Sequence, residues 1–175
     1  MLYAAEMNPD IRQIAKRRLS FCILESLDKV DQITFLAQQA HFESRFSYIT
    51  FAPHKVRRIA EQALDDPKRR AVMLCHDAEK PVGFVYCSIG EYHIGTGSLI
   101  TTIHNINVLS DFRETLNGGR ASLGLLKGVD RWSRARGSSE ILFHVTSGVD
   151  LARTHKFIKR LGYSFIGGSY AKQLD

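Results

Sequence analysis

The spacing of apolar residues changes from strand-like to helical and back between residues 71 and 145, and this change constrains the fold most. Residues 71–75, 82–89 and 99–108 are apolar, β-rich runs, with a turn sequence between the first two. An amphipathic helix is predicted from about Gly119 to Arg136, and a further strand at residues 140–145. Antiparallel strands followed by a strand–helix–strand unit predict an α/β (α+β) fold, in which a mixed, mostly antiparallel sheet has helices on both faces.

Flanking segments extend this sheet to about six to seven strands. Capping residues and glycines mark the ends of the helices in these segments. In chain order, the added elements are a strand at 21–24, helices at about 27–40 and 56–64, a helix capped by Asp150 and ended by Gly162, and a closing hairpin at 163–166 and 169–174.

The chain of 175 residues is 44% hydrophobic, which suits one globular domain with a substantial core. We expect residues 1–19 to be an N-terminal extension with a short helix through Arg18, and residues 20–175 to form a single domain. No apolar run approaches the roughly 20 residues that span a bilayer, and the charged N-terminus lacks a signal-peptide core. The sequence therefore predicts a cytoplasmic protein with no membrane segment.

Cysteine usage and charge narrow the kinds of site. Cys22, Cys75 and Cys87 are isolated among apolar neighbours and odd in number, so we predict buried thiols and no metal site. The net charge of +6 favours anionic partners, such as phosphate-bearing ligands, nucleic acid, acidic proteins or anionic surfaces, and charge alone does not choose among them. Nucleic-acid binding is not expected, because only the charge supports it and no motif for base readout is present.

A glycine pair at the start of the long helix is the main candidate for a ligand site. Residues 117–121, Asn-Gly-Gly-Arg-Ala, precede the helix, where unpaired backbone N–H groups and the helix dipole attract anions. Gly118 and Gly119 would let a phosphate approach the backbone, and Arg113 and Arg120 could add charge-assisted contacts. The pattern predicts that a phosphate group binds on this loop.

Two stretches resemble the GNAT superfamily of N-acetyltransferases, and the resemblance covers roughly residues 21–174. Residues 108–137, which include the glycine loop and Trp132-Ser-Arg-Ala-Arg-Gly137, are similar to that family's CoA motif. Residues 157–163, Phe-Ile-Lys-Arg-Leu-Gly-Tyr, are similar to the end of its last helix. The stretches at 41–45, 118–121 and 168–170 most resemble a branch frequent in phage and prophage genomes.

The resemblance implies that acetyl-CoA binds where adjacent strands separate after Val108, with its pyrophosphate on the glycine loop. Its pantetheine arm would mimic a strand, and a backbone N–H near Val108 would stabilise the oxyanion. Ser147, which follows the strand at 140–145, could donate a hydrogen bond to the thiolate or the substrate. The residues assigned to CoA are Ile106, Val108, Arg113, Asn117, Gly118, Gly119, Arg120, Ala121, Ser122 and Ser147.

The sequence departs from the family pattern at positions that bear on catalysis. Residues 114–116 are an insertion relative to the common spacing, and Asn117 and Arg120 replace more usual residues. Ile158 stands where the family often has a tyrosine that acts as the general acid. His155 and Tyr170 are candidate substitutes for that tyrosine.

A base must take a proton from the attacking amine, and Glu43 and His104 are the leading candidates. Glu43 lies between the first two helices, a region that lines the acceptor pocket in similar proteins. Glu91 and His93, near the loop before the next strand, are further candidates. For each residue a structural role is the alternative. Simple alternation places His104 on one strand face together with Ile100, Thr102, Ile106 and Val108.

These features predict transfer of an acetyl group from acetyl-CoA to a primary amine by direct attack, without a metal. The acceptor would be a small molecule or a peptide. Two alternatives stay open: an acyltransferase supplied by acyl carrier protein, and a non-catalytic CoA-binding or interaction module on the same fold. The basic surface motivates the first alternative and the missing tyrosine the second. A homodimer also stays open.

Overall fold

A five-stranded sheet in the order β1-β2-β3-β4-β5 organises the chain in a computed structural model, which describes residues 19–172. The predicted helix through Arg18 lies outside the described residues. The strands are β1 (Leu19–Ile23), β2 (Arg70–Asp77), β3 (Lys80–Glu91), β4 (Leu99–Val108) and β5 (Ser138–Phe143). The helices are α1 (Val30–Glu43), α2 (Pro53–Asp65), α3 (Ser110–Arg113), α4 (Leu116–Arg134) and α5 (Leu151–Arg160), and a 3-10 turn (Leu27–Lys29) precedes α1.

The sheet is mixed, as the change of period predicts. Strands β1 to β4 pair antiparallel in sequence order. Strand β5 pairs parallel to β4, because α4 carries the chain back across the sheet before β5 begins. The predicted combination of an antiparallel block and a strand–helix–strand unit is therefore confirmed.

Helices cover both faces of the sheet, and each face has its own apolar core. On one face, buried residues of α1 and α2, such as Ile33 and Ala60, pack on Leu74 and Phe84. On the other face, α4 inserts its apolar stripe, including Leu125, Val129 and Trp132, against the sheet. Successive side chains of β2 and β3 point alternately into the two cores. Both faces of these strands are therefore buried, which is why their sequences are almost continuously hydrophobic.

The prediction of six to seven strands is wrong, since the described part of the chain has five. The closing hairpin does not form: residues 163–172 have no regular secondary structure. Phe165 and Ile166 are 70% and 77% exposed, so no sheet face buries the apolar side chains that a strand here would need to pack. The glycine pair at 167–168 alone does not fix a hairpin.

The thiols are only partly as expected. Cys75 and Cys87 are buried, and burial raises the pKa of each thiol to about 12. Cys22 is half-buried, with its Sγ 3.4 Å from Lys29 Nζ. No helix among the described residues is long and apolar enough to cross a membrane. Residues 19–172 also contain no cluster of three or more metal-ligating side chains.

Candidate functional site

Strands β4 and β5 separate part-way along their length, and a cavity opens in the gap. Their pairing ends at Ile103 and Phe143, whereas β4 continues alongside β3 as far as Val108. The backbone polar groups of residues 104–108 that do not pair with β3 therefore face the gap rather than β5. The cavity has a volume of about 810 Å³ and reaches both faces of the sheet. An extended ligand can pair with this strand edge from within the gap.

A β-bulge at His104 sets which side chains of β4 reach each face. The pairing with β3 passes from Cys87–Ile103 to Tyr86–Asn105, so His104 is an extra residue without a partner position. The predicted grouping of His104 with Ile106 and Val108 is therefore wrong. Ile106 and Val108 pack in the α4 core, whereas His104 lies on the opposite face with Tyr86. Ile100 and Thr102 also lie on the opposite face from Ile106 and Val108, because the one inserted residue shifts the alternation of side chains between the faces.

His104 lines the cavity at the gap between the strands. Its ring stacks on Tyr86 at a centroid distance of 4.9 Å, and its Nε2 lies 2.7 Å from Ser88 Oγ. Although the side chain is open to the cavity, partial burial lowers the pKa of His104 below its ordinary value of 6.5. The neighbouring His144 and Arg70 lower this pKa further. A neutral imidazole that is fixed by stacking and a hydrogen bond in a cavity can accept a proton at neutral pH.

The glycine pair lies inside the first turns of α4 rather than in a loop, because the helix starts at Leu116 and not at Gly119. Thr115 caps the helix, and its Oγ1 accepts a hydrogen bond of 3.2 Å from the Gly118 N–H. The N-terminus of this helix opens into the cavity, which Gly118, Gly119 and Ser122 line. Backbone donors and the positive end of a 19-residue helix dipole therefore meet the cavity at this point.

The two glycines serve different purposes. A Cβ on Gly118 would lie 2.3 Å from the Phe112 carbonyl oxygen and 2.5 Å from Arg113 Cα. Gly118 is thus required for α3 to pack against α4. A Cβ on Gly119 would meet no atom within 4 Å, so this position faces open space in the cavity. Gly119 is where a ligand can approach the helix backbone.

Glu43 does not line the cavity. Its carboxylate accepts a charge-assisted hydrogen bond from Arg113, and both side chains are partly buried. Arg113 itself lines the cavity beside the α4 N-terminus, as does Arg153 from α5. The guanidinium of Arg153 lies near the Arg113 carbonyl oxygen, at 3.5 Å. Glu43 therefore holds a cation at the cavity wall instead of presenting its own carboxylate there.

Eight of the predicted site residues line one cavity, and the others lie beside it. Asn117 and Arg120 hydrogen-bond to each other on the outer side of α4, with Asn117 Oδ1 accepting at 3.2 Å. Ala121 is fully buried in the α4 core. The predicted residues that the cavity brings together are His104, Ile106, Val108, Arg113, Gly118, Gly119, Ser122 and Ser147.

The further acid and base candidates lie away from the cavity. Glu91 is at the other end of the sheet, where it pairs with Leu99 and accepts hydrogen bonds from Gly97 and Thr96 that lower its pKa. His93 follows it in the same loop. Tyr170 is fully exposed, and His155 packs edge-on against Phe165. Ile158 lines the cavity, so an apolar side chain occupies the position where the family often has a tyrosine.

The segment between α1 and α2 contributes to the cavity wall, as expected, but the contacts that hold it there were not predicted. The Arg45 N–H donates to the Ser147 carbonyl oxygen at 2.7 Å, tying this segment to the chain after β5. His41 Nε2 lies 2.7 Å from the Ile49 carbonyl oxygen and fixes the segment from within. Phe46 and His144 line the cavity as a result. They meet only through tertiary packing, so no sequence spacing marks them.

Comparison with known proteins supports the fold. No protein-family model matches the sequence, and the search of curated proteins gives no match. Among solved structures, the aminoglycoside N-acetyltransferase AAC(6')-Iy, in complex with the bisubstrate analog CoA-S-monomethyl-acetylneamine, superposes with a TM-score of 0.69. It is 15% identical over 90% of this chain and 99% of that chain.

Two further structures give the same result. Aminoglycoside antibiotic 6'-N-acetyltransferase AAC(6')-Ih from Acinetobacter baumannii has a TM-score of 0.61 and 18% identity, over 90% of this chain and 99% of that chain. Ribosomal-protein-alanine N-acetyltransferase from Brucella melitensis biovar Abortus 2308 has a TM-score of 0.64 and 14% identity, over 90% of this chain and 100% of that chain. Nothing in these comparisons supports the phage-type branch. The chain has the fold of the GNAT N-acetyltransferases.

Proposed function

We propose that the protein transfers an acetyl group from acetyl-CoA to a primary amine by direct attack. One observation carries the proposal: a single cavity connects the N-terminus of α4, on one face of the sheet, with His104, on the other face. The gap between β4 and β5 lies between them. This arrangement supports a phosphate-bearing donor at one end, an acceptor at the other, and reaction in the gap.

The residues at the α4 end fit the pyrophosphate and pantetheine of CoA. Gly119 leaves the helix backbone open to a phosphate, and Arg113 and Arg153 supply positive charge at the same wall. The free backbone edge of residues 104–108 can pair with the two amides of pantetheine, as a strand would. Val108, at the end of this edge, supplies a backbone N–H as the candidate oxyanion donor.

The reaction needs a base more than it needs an acid. The amine nitrogen attacks the thioester carbonyl carbon, the C–N bond forms, and the C–S bond breaks to release the CoA thiolate. His104 takes the proton from the attacking nitrogen, directly or through one water. The thiolate has an intrinsic pKa of about 8.5 and leaves without strong acid assistance. This accounts for a site in which Ile158 replaces the usual tyrosine.

Acetyl-CoA and acyl carrier protein are distinguished by what the α4 end would bind. A carrier protein presents phosphopantetheine, which lacks the second phosphate and the adenosine of CoA. The open helix terminus at Gly119 and the two arginines at the wall favour the larger, more anionic CoA group. A purely non-catalytic role is disfavoured because the cavity continues past the gap to His104.

Acetyl-CoA is expected to stabilise the protein and to release thiol when a suitable amine is added. At 100 times its dissociation constant, a ligand adds about 2.7 kcal/mol to the free energy of unfolding. Thermal-shift titration measures the first effect, and a thiol-reactive dye measures the second. An unchanged Tm at millimolar acetyl-CoA would refute the proposal. If acetylated acyl carrier protein supports turnover and acetyl-CoA does not, the carrier protein is the acetyl donor.

A further inference from the structure

The acceptor end of the cavity has apolar and aromatic walls. Residues from α1, α2 and the strands beneath them form this part, including Phe46, Phe51, Ile59, Phe84 and Tyr86. Most of these belong to the core between the two helices and the sheet, so the cavity opens directly into that core. The imidazole side chains at this end are those of His41, His104 and the neighbouring His144. An apolar body can therefore be buried here.

Among residues 19–172, no carboxylate lines this end of the cavity. Among the described residues that line the whole cavity, the acidic side chains are Glu114 and Asp150. Both lie at the other end, near Arg113 and Arg153, and Asp150 caps α5 by accepting from the Arg153 N–H at 3.2 Å. Glu43, the nearest acid in the sequence to the α1–α2 segment, is already paired with Arg113. In the described part of the chain, no acidic side chain therefore faces an acceptor bound against α1 and α2.

The charge of the acceptor follows from these walls. The reacting amine can enter the gap as the neutral fraction present in solution, and it loses a proton to His104 only as the C–N bond forms. Any second ammonium group would be removed from water without a carboxylate partner, and burial of an unpaired charge is strongly unfavourable. An aromatic or aliphatic body gains free energy from the same walls, because its apolar surface leaves water.

We infer that the acceptor is a small monoamine carried on an apolar, aromatic body, and not a polyamine. The inference rests on the proposed acetyl transfer and specifies the substrate class of the same site. It is carried by the aromatic wall of Phe46, Phe84 and Tyr86 together with the absence of carboxylates from that wall.

An amine panel tests the inference. The rate of thiol release with saturating acetyl-CoA is measured for phenethylamine and tryptamine. The same rate is measured for spermidine, for neamine and for a short peptide with an N-terminal phenylalanine. We expect kcat/KM for phenethylamine to exceed that for spermidine by about 100-fold. Equal or greater kcat/KM for the polyamines would overturn the inference. Turnover confined to peptides with an N-terminal aromatic residue would overturn it as well, because the acceptor would then be a macromolecule.

Two variants probe the wall itself. Phe46→Ala removes an aromatic ring that is 37% exposed, so the fold should tolerate it, and kcat/KM for phenethylamine should fall about tenfold. Phe35→Ala is the matched control, since Phe35 is 47% exposed on α1 and does not line the cavity. Ile59→Glu places a carboxylate at the acceptor end and should raise kcat/KM for spermidine. Equal effects of Phe46→Ala and Phe35→Ala would contradict the assignment of the wall.

Failure of the inference can be told apart from failure of the proposed function. If acetyl-CoA leaves the Tm unchanged and no amine releases thiol, the acetyl transfer itself is wrong. If acetyl-CoA binds and polyamines are the better acceptors, acetyl transfer stands and only the acceptor class is wrong.

Discussion

Replacing His104 by Gln is expected to lower kcat by about 10²- to 10³-fold, the usual contribution of a positioned general base. Glutamine approximates the size of the ring and can still hydrogen-bond with Ser88, but it cannot take up a proton. Acetyl-CoA binding should be unaffected, because His104 lies across the gap from the α4 N-terminus. Steady-state kinetics with saturating acetyl-CoA and amine, beside a thermal-shift titration of acetyl-CoA, separate the two effects.

The pH profile identifies the base directly. Partial burial, His144 and Arg70 lower the pKa of His104 below 6.5, so the ring stays neutral down to a lower pH than an ordinary histidine. The base form therefore predominates at pH 6.5 and above, and kcat should fall only as the pH drops through the lowered pKa. His104→Gln should abolish this acid limb. The ionisation of the amine, near pH 9 to 10 for an alkylamine, should persist in both proteins.

Glu43→Gln is the control for this assignment. Glutamine can keep a hydrogen bond to Arg113, so we expect the acid limb of kcat to remain and turnover to change only slightly. Acetyl-CoA affinity is the quantity that should respond, because Arg113 loses its charged partner at the cavity wall. If Glu43→Gln removes the acid limb and His104→Gln does not, Glu43 is the base and His104 is a structural residue.

Local patterns predicted most of the fold. Helical spacing placed α1, α2 and α4 within a few residues of their observed bounds, and Asp150 and Gly162 did the same for α5. Strand β4 matched its predicted range. The failure at residues 163–172 has a clear physical origin. A hairpin on a sheet edge needs cross-strand partners and a face that buries its side chains, and both are tertiary properties. Glycines and alternating residues report turn and strand propensity only.

The site was harder to predict than the fold because it depends on one inserted residue. Alternation along β4 placed His104 with Ile106 and Val108, and the bulge moved it to the opposite face. No residue type at 104 signals a bulge. The same limit applies to Glu43, which was predicted in the loop between two helices but is the last residue of α1. Its pairing with Arg113, 70 residues away, was not predicted. The location of Gly118 and Gly119 at the cavity was easier to predict from the sequence, because it depends on local chain geometry.

Adjacent glycines at the start of α4 should respond to alanine with opposite signs. Gly118→Ala should lower the free energy of unfolding by roughly 3 kcal/mol, because its Cβ would press on the backbone of Phe112 and Arg113, which cannot rotate away. Gly119→Ala should raise stability by about 0.5–1 kcal/mol, since alanine favours the helix and its Cβ meets nothing within 4 Å. Urea unfolding of both variants without ligand measures the difference.

The stabilised variant should nevertheless bind acetyl-CoA less well. The new methyl group at Gly119 occupies space that a phosphate needs to reach the helix backbone, and a misfit of this size weakens binding about tenfold or more. Lys127→Ala is the matched control, because Lys127 is exposed on the same helix and does not line the cavity. It should leave acetyl-CoA affinity unchanged. If Gly119→Ala also leaves that affinity unchanged, the phosphates do not bind at the N-terminus of α4.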